Sequence, residues 1–285
     1  MDISSVTKTL AVIGHPVEHS FSPLMHNAAI RELGLDLSYL AFNVRPEAVG
    51  AALEGMRALG ILGLNVTVPH KEAVMPHLDD LSDEARRVGA VNTIHNAGGV
   101  LKGYNTDVYG ILTSLKETAG LDPLPPVVAV LGASGAARGV VYGLCTRPEV
   151  ERILVFNRTP EKAETLAREM GAWTDARLEA HPMDEASLQA RLKEAQLLIN
   201  ATSVGMHPHT GYSPVGDGAA LHPDLVVYDI VFNPLETLLL RQAREAGARA
   251  VGGIEMLVYQ GARSFEIWTG TYPPVEVMKA ALPRH

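Results

Sequence analysis

Several features that would place a protein in a specialised class are missing from these 285 residues. A single cysteine, Cys145, excludes a disulfide within the chain, and its apolar helical surroundings indicate a buried thiol. No run of about 18 apolar residues is present, so no segment is expected to span a membrane. The first nine residues lack the charged-then-apolar pattern of a signal peptide. A reducing cytoplasm is therefore the expected compartment.

Charge and composition exclude further classes of protein. The Lys and Arg residues are scattered and the formal net charge is −8, so no nucleic-acid partner is expected. The eleven His residues are dispersed, and no spacing predicts a metal site. Hydrophobic residues make up 47% of the chain, which is typical of a globular protein with an ample core. The length predicts about two domains.

The first part of the chain alternates strand and helix patterns. The predicted strands cover residues 10–14, 39–44 and 64–68, and the predicted helices cover 22–34 and 46–59. This alternation predicts an α/β unit with a parallel sheet and crossover helices. Helical periodicity continues at 75–88, a hairpin is predicted to turn at 96–99, and a helix opens near Asp107.

A change of domain is expected at residues 120–126, which hold three prolines and a glycine. The strand predicted at 127–131 is apolar throughout, as a central parallel strand should be. Further strands are predicted at 153–156, 196–200 and 225–231, and helices at 236–246 and 255–268. The second half therefore also has an α/β pattern.

The stretch from Asn65 to Lys71 alternates like a half-buried strand, and Pro69 ends that strand. A helical segment is predicted to follow, which leaves Asn65, Thr67 and Lys71 near the strand's exit. These groups suit a small polyhydroxy or carboxylated molecule together with a proton donor. An ordinary strand-to-helix turn with a solvated lysine is the alternative that this stretch alone leaves open.

Three other positions also have two interpretations each. Ser22 before Pro23 is predicted to cap a helix, but that helix start, with Ser20 beside it, also suits an anion. Asp107 is either the cap of the next helix or a catalytic carboxylate. Gln260 lies beside the apolar stripe of the last helix, where an amide is usually a satisfied edge residue.

A glycine loop follows the apolar strand at 127–131. The run Gly132-Ala133-Ser134-Gly135-Ala136-Ala137 leads into a helix and is a variant of the dinucleotide fingerprint. After the next strand, Arg158 stands where an NAD site would carry Asp or Glu, and Lys162 follows one helical turn on. A guanidinium can fork onto the 2′-phosphate of NADP, so NADP is favoured over NAD. A solvated Arg–Lys pair at a helix start is the alternative.

These motifs resemble the shikimate dehydrogenase family along nearly the whole chain. They keep the family's order at residues 20–23, 26–27, 65–71, 89–93, 105–107, 132–137, 157–159, 200–203 and 253–257 with Gln260. The resemblance implies a substrate and catalytic domain at 1–108, a Rossmann-like NADP-binding domain at 109–252, and C-terminal helices at 253–285 that pack back on the first domain. The implied reaction is NADPH-dependent reduction of 3-dehydroshikimate to shikimate, in aromatic amino-acid synthesis.

The resemblance also implies roles for individual residues. Lys71 would transfer the proton, with Asp107 as its partner on the substrate hydroxyls. The implied substrate-binding residues are Ser20, Ser22, Asn65, Thr67, Asn92, Asp107, Phe232 and Gln260. The implied cofactor-binding residues are Asp83, Gly132, Ala133, Ser134, Gly135, Ala136, Asn157, Arg158, Thr159, Lys162, Thr202, Ile230 and Gly253.

The chain departs from the family pattern at three positions. Phe232 stands where a carboxylate-binding Tyr is common, Val108 replaces a glycine after Asp107, and Ser134 replaces a loop glycine. Two rival functions stay open: a quinate/shikimate dehydrogenase that uses NAD, and a nucleotide-sensing relative without turnover. The expected partner is a small-molecule substrate, and the sequence leaves monomer and homodimer open.

Overall fold

The computed structural model describes residues 3–283 and divides the chain into two compact units. One unit takes the chain up to Gly110 and again from Leu257, and the other is Ile111–Met256. Within residues 3–283, each unit is built on one six-stranded sheet flanked by helices. The predicted two-unit α/β fold, with a C-terminal helix returning to the first unit, is therefore confirmed.

The first unit begins with three strand–helix repeats and a hairpin. Its elements are β1 Lys8–Gly14, α1 Ser22–Glu32, β2 Leu37–Asn43, α2 Val49–Ala58, β3 Gly63–Val66, β4 Asp80–Leu81, α3 Asp83–Val88, β5 Thr93–Ala97, β6 Val100–Tyr104 and the start of α4 Asp107–Glu117. The strand order is β2-β1-β3-β5-β6-β4. Strand β1 pairs parallel with β2 and β3, as predicted, whereas β5 runs antiparallel to β3 and β6.

The second unit carries a fully parallel sheet. Its elements are β7 Val127–Leu131, α5 Gly135–Cys145, β8 Arg152–Asn157, α6 Pro160–Gly171, β9 Arg177–Pro182, α7 Glu185–Arg191, β10 Leu197–Asn200, β11 Val226–Asp229, α8 Leu238–Glu245 and β12 Arg249–Gly252. The strand order is β12-β11-β10-β7-β8-β9. Helices α9 Ile254–Thr269 and α10 Val275–Ala280 complete the chain, and α10 packs against α1 of the first unit.

Apolar faces of strands and helices form the two cores. In the first unit, Ile13 of β1, Leu64 of β3 and Met56 of α2 are buried together. In the second unit, Leu131, Leu154 and Leu198 from neighbouring central strands are fully buried. These central strands are continuously apolar because both faces of a parallel sheet are covered by helices.

The predicted helix at 75–88 is wrong. The segment contains a 3₁₀ turn at Met75–His77, the short strand β4 and only then α3. Pro76 lies within the 3₁₀ turn. Ser82 caps the new helix α3, because its hydroxyl accepts a hydrogen bond from the Ala85 N–H at 3.1 Å. Pro46–Ala48 likewise forms a 3₁₀ turn before α2 rather than the start of one longer helix.

Candidate functional site

Lys71 and Asp107 form a partly shielded ion pair in the first unit. The Lys71 Nζ lies 2.5 Å from Asp107 Oδ2, and the two side chains are only 14% and 6% exposed. Lys71 lies in the turns that follow β3, which replace the predicted helix there, and Asp107 is the first residue of α4. The structure thus brings together the two residues that the sequence had put forward for proton transfer.

Asp107 does not cap its own helix. The Asn105 Oδ1 instead accepts hydrogen bonds from the backbone N–H groups of Asp107 and Val108. The prediction of Asp107 as a cap is therefore wrong, and its carboxylate is available for other partners. Its second oxygen, Oδ1, accepts a hydrogen bond from Asn92 Nδ2 at 2.9 Å.

Asn92 is oriented by a dense set of hydrogen bonds. Its amide nitrogen faces Asp107, the Thr106 hydroxyl and Gln260 Oε1, and its Oδ1 accepts from the Thr106 N–H at 2.7 Å. The side chain of Gln260, on α9, is anchored by a bond from its Nε2 to the Leu257 carbonyl at 2.8 Å. Asn92 and Gln260, both buried, therefore belong to the same cluster as the Lys71–Asp107 pair.

A buried layer of hydroxyl groups lies next to this cluster and was not predicted. The Ser264 hydroxyl lies 2.7 Å from Thr93 Oγ1 and 3.1 Å from Thr106 Oγ1, and it accepts a hydrogen bond from Asn65 Nδ2 at 3.0 Å. Ser264 follows Gln260 by four residues on α9, which was the available signal. Thr93 and Thr106 lie within motifs that resemble the family, but nothing in those motifs showed that they meet Ser264.

The two serines at the start of α1 act differently from the prediction. Ser22 does not cap the helix, because the cap position is Phe21 and no side-chain hydrogen bond is made there. The Ser20 hydroxyl instead accepts a hydrogen bond from the Ser22 N–H at 3.3 Å. Ser22 itself is buried, whereas Ser20 is half-buried.

Thr67 is held where β1 and β3 end side by side. Its backbone N–H donates to the Ile13 carbonyl at 2.9 Å. A Cβ at Gly14 would lie 2.4 Å from Thr67 Cγ2, so only glycine allows this approach without displacement. Thr67 is half-buried and is the first residue after β3, two residues after Asn65 and four before Lys71.

In the second unit, the glycine loop connects β7 to α5. Gly132 has a φ of 111°, and a Cβ there would lie 3.0 Å from the Ala201 carbonyl oxygen. A side chain is therefore excluded both by the backbone conformation and by the neighbouring loop. Ala133, Ser134, Gly135 and Ala136 follow and open a helix of 11 residues, whose first N–H groups provide an anion-binding end.

The end of β8 carries the predicted cationic pair. Asn157 ends the strand, and its Nδ2 donates to the Thr159 carbonyl at 2.9 Å, which tightens the turn into α6. Thr159 occupies the cap position of α6, and Arg158 and Lys162 are both exposed. Two cations therefore border the carboxyl end of the strand next to β7, and no acidic residue occupies 157–159.

The end of β10 and the connection from β11 to α8 are joined by Asp229, a buried carboxylate that the sequence analysis missed. It accepts hydrogen bonds from Asn200 Nδ2 at 2.8 Å, the Val231 N–H at 3.0 Å and Thr237 Oγ1 at 2.6 Å. Burial raises the pKa of Asp229 to about 6, although these three bonds oppose the rise. Its polarity inside an apolar strand was the available signal.

The remaining predicted cofactor residues lie in these loops. Asn200 Oδ1 accepts hydrogen bonds from both the N–H and the hydroxyl of Thr202. The Ile230 N–H donates to the Asn200 carbonyl at 3.1 Å. A Cβ at Gly253 would lie 2.5 Å from the Asp229 carbonyl oxygen, so the chain after β12 passes against the loop after β11.

Two predicted residues lie in a different unit from the rest of their set. Asp83, predicted for the cofactor, is the exposed first residue of α3 in the first unit. Phe232, predicted for the substrate, is half-buried in the second unit, three residues after Asp229. The structure therefore groups the other substrate residues in one unit and the other cofactor residues in the other.

Three family descriptions match successive parts of the chain. Residues 12–94 match the shikimate dehydrogenase substrate binding domain, residues 125–210 match shikimate / quinate 5-dehydrogenase, and residues 253–282 match the shikimate 5′-dehydrogenase C-terminal domain. A relative from Methanopyrus kandleri, named shikimate dehydrogenase (NADP(+)), is 46% identical over 100% of this chain and 98% of its own length.

Solved structures of shikimate dehydrogenases are also similar to this chain. A crystal structure of a shikimate dehydrogenase in complex with NADP⁺ is 42% identical, covers 98% of this chain and 96% of its own, and has a TM-score of 0.89. The shikimate 5-dehydrogenase from Thermus thermophilus, in complex with NADP(H) and shikimate, is 40% identical, covers 96% of this chain and 98% of its own, and has a TM-score of 0.85.

Proposed function

Because the chain belongs to the shikimate dehydrogenase family, we propose that it catalyses the NADPH-dependent, reversible reduction of 3-dehydroshikimate to shikimate. The observation that carries this function is the Lys71–Asp107 pair, in which an ammonium and a carboxylate 2.5 Å apart adjoin a set of buried amides and hydroxyls. This oxidoreductase activity supplies shikimate for the synthesis of chorismate and aromatic amino acids.

The residues of the second unit fit NADP. The glycine at position 132 and the first turn of α5 form a cradle for a pyrophosphate, which needs close backbone approach and free N–H groups. Arg158 and Lys162 supply positive charge for the 2′-phosphate. Of the other cofactor residues, Asn157 and Thr159 flank Arg158, and Thr202, Ile230 and Gly253 follow β10, β11 and β12 at the same edge of the sheet. We assign Ala133 to Ala136 to the same cradle and propose Asp83 of α3 as a further cofactor-binding residue.

Bound NADPH supplies the hydride, and the protein supplies position and a proton. We assign the proton to Lys71 Nζ. As negative charge grows on the carbonyl oxygen of the substrate, the ammonium stabilises it and then releases its proton to that oxygen. Asp107 accepts a hydrogen bond from a substrate hydroxyl and holds the ammonium through Oδ2, while Asn92 fixes the carboxylate through Oδ1.

We assign the remaining polar groups of the first unit to binding. Ser20, Ser22, Asn65, Thr67 and Gln260 hold the hydroxyl and carboxylate groups of the ring, and the first unit is the domain that does so. The second unit is the cofactor domain. Among the described residues, no helix combines the length and the apolar character needed to cross a bilayer. We place the reaction in the cytoplasm, with a monomer or homodimer as the active form.

A matrix of initial rates tests the function. Purified protein is assayed with shikimate or quinate and with NADP⁺ or NAD⁺, and we expect kcat/KM to be highest for shikimate with NADP⁺. Absence of shikimate oxidation would remove the proposed function. Faster oxidation of quinate with NAD⁺ would favour the quinate/shikimate dehydrogenase instead.

The assignment of Arg158 has its own variant. Arg158→Ala should raise the KM for NADP⁺ more than about tenfold and leave that for NAD⁺ nearly unchanged, because only NADP⁺ carries the 2′-phosphate. Arg177→Ala, which removes an exposed arginine paired with Glu179 on β9, is the matched control. Equal losses with both cofactors would contradict the role of Arg158.

A further inference from the structure

Tyr39 contacts one of the residues assigned to the substrate. It is the third residue of β2 and is 1% exposed. Its hydroxyl donates a hydrogen bond to Asn65 Oδ1 at 2.6 Å. One buried hydroxyl of β2 thus holds the Asn65 amide on β3.

The orientation of the Asn65 amide is fixed by its other contacts. Its nitrogen faces the Asn92 carbonyl at 3.2 Å, Thr93 Oγ1 at 3.3 Å and Ser264 Oγ at 3.0 Å. A backbone carbonyl can only accept, so this side must be the donor and Oδ1 must face Tyr39. The second lone pair of Asn65 Oδ1 is then left to accept a hydrogen bond from a ligand.

Two residues of helix α1 hold Tyr39. Asn27 bonds to its backbone twice, accepting from the Tyr39 N–H at 2.9 Å and donating to its carbonyl at 2.8 Å. The His26 ring stacks on the phenol ring with centroids 4.3 Å apart and planes 5° from parallel. These contacts fix the ring, and with it the hydroxyl, more firmly than packing alone would.

We propose that Tyr39 is a positioning residue for the substrate, whose hydroxyl holds the Asn65 amide in the orientation that leaves the second lone pair of Oδ1 to the substrate. This inference rests on the proposed function, since it takes Asn65 as a substrate ligand. Tyr39 touches no reacting atom, so its hydroxyl should affect binding of the substrate and leave the chemical step nearly unchanged.

The test compares two buried tyrosines. Tyr39→Phe removes one oxygen and retains the stack on His26 and both bonds to Asn27, so the fold is kept. Tyr228→Phe is the matched control, because Tyr228 is also fully buried and its hydroxyl also has one close partner, Ser114 Oγ at 2.7 Å, in the second unit. We expect Tyr39→Phe to raise the KM for shikimate about tenfold, with kcat within about twofold of wild type. The KM for NADP⁺ should not change.

A rescue separates positioning from stability. Both variants should lower the unfolding temperature by similar amounts, but only Tyr39→Phe should raise the KM for shikimate. Incorporation of 4-aminophenylalanine at position 39 restores an N–H donor to Asn65 Oδ1 and should return the KM toward the wild-type value. An unchanged KM in Tyr39→Phe, an equal rise in Tyr228→Phe, or a failed rescue would overturn the role of Tyr39. A wild-type protein that does not oxidise shikimate would instead overturn the proposed function.

Discussion

At the scale of single residues, proton transfer is assigned to Lys71. Lys71→Ala should lower kcat about 10²- to 10⁴-fold, because both the stabilising charge and the proton donor are lost, while shikimate still binds. Binding is measured by calorimetry and turnover by initial rates. Lys102→Ala is the control, since it removes a lysine that pairs with Asp80 at 2.7 Å on the surface of the same unit. More than about a tenth of wild-type turnover in Lys71→Ala would contradict proton transfer of this size.

Phe232 is the departure from the family pattern with the clearest consequence. If the substrate carboxylate lies near this position, Phe232→Tyr adds a hydroxyl donor and should lower the KM for shikimate several-fold. The KM for NADP⁺ should stay the same. Phe42→Tyr adds the same hydroxyl to an exposed phenylalanine of β2 and controls for the added polarity. An unchanged KM would mean that another group binds the carboxylate.

At the scale of elements, the Asp229 carboxylate of β11 is hydrogen-bonded to the end of β10 and to the cap residue of α8. Burial raises its pKa to about 6 from an ordinary 3.8, so the folded protein binds more protons than the unfolded chain between these values. Stability contributed by this group therefore falls as pH rises, by about 1 kcal/mol between pH 5 and pH 7.5. Asp229→Asn, which keeps a hydrogen-bonding side chain at this position but cannot titrate, should remove that slope.

The measurement for Asp229 is urea unfolding of wild type and variant at both pH values. The slope with pH decides the outcome, so a change in absolute stability does not disturb it. Asp184→Asn is the control, because this exposed carboxylate caps α7 and hydrogen bonds lower its pKa, which leaves it ionised throughout the range. Parallel slopes in wild type and Asp229→Asn would refute the assignment.

Elements differ in how well the sequence predicts them. Apolar periodicity located α1 and the central strands, because burial selects the side chains on those faces, and the turn residues at 96–99 located the β5–β6 hairpin. It missed β4 and β9, where Asp80 and Arg177 lie in short or edge strands that need no apolar pattern. Ser22 was wrongly predicted as a cap because Ser-Pro is a common helix start, whereas α1 already includes Ser22 and leaves Phe21 at the cap position.

The site was predictable where one motif holds several of its residues and not where distant segments meet. Lys71 and Asp107 could be paired from the resemblance, and the structure puts them in contact. The contact between Asn65 and Ser264 joins residues 199 positions apart, so no local pattern reports it. Tyr39 looked like an ordinary strand residue for the same reason.

At the scale of the whole molecule, the two units should respond to acid in opposite directions. His26 in the first unit is fully buried, and burial lowers its pKa to about 3. The unfolded chain takes up a proton near pH 6.5 while the folded unit does not, so the first unit loses about 2 kcal/mol between pH 7 and pH 5. Over the same range the second unit gains a contribution from Asp229, which is opposed in part by His181, a group whose pKa is lowered by burial.

Hydrogen-exchange protection factors, corrected for the intrinsic rate at each pH, measure the two units separately. Protection of the β1 amides should fall between pH 7 and pH 5, and protection of the β10 amides should rise. The Asp229→Asn variant should keep the change in β1 and lose the change in β10. A common direction for both strands in wild type would contradict the prediction.

The hydrogen bonds of Asn92 affect the free-energy cost of binding a ring-shaped substrate. Its amide donates to Asp107 Oδ1, and Asp107 Oδ2 accepts from Lys71 Nζ. Little side-chain freedom then remains to be lost on encounter, and the main cost of association is the removal of water from an ion pair. Inhibitors that mimic the rigid ring should therefore gain more from matching the charges of Lys71 and Asp107 than from additional apolar bulk.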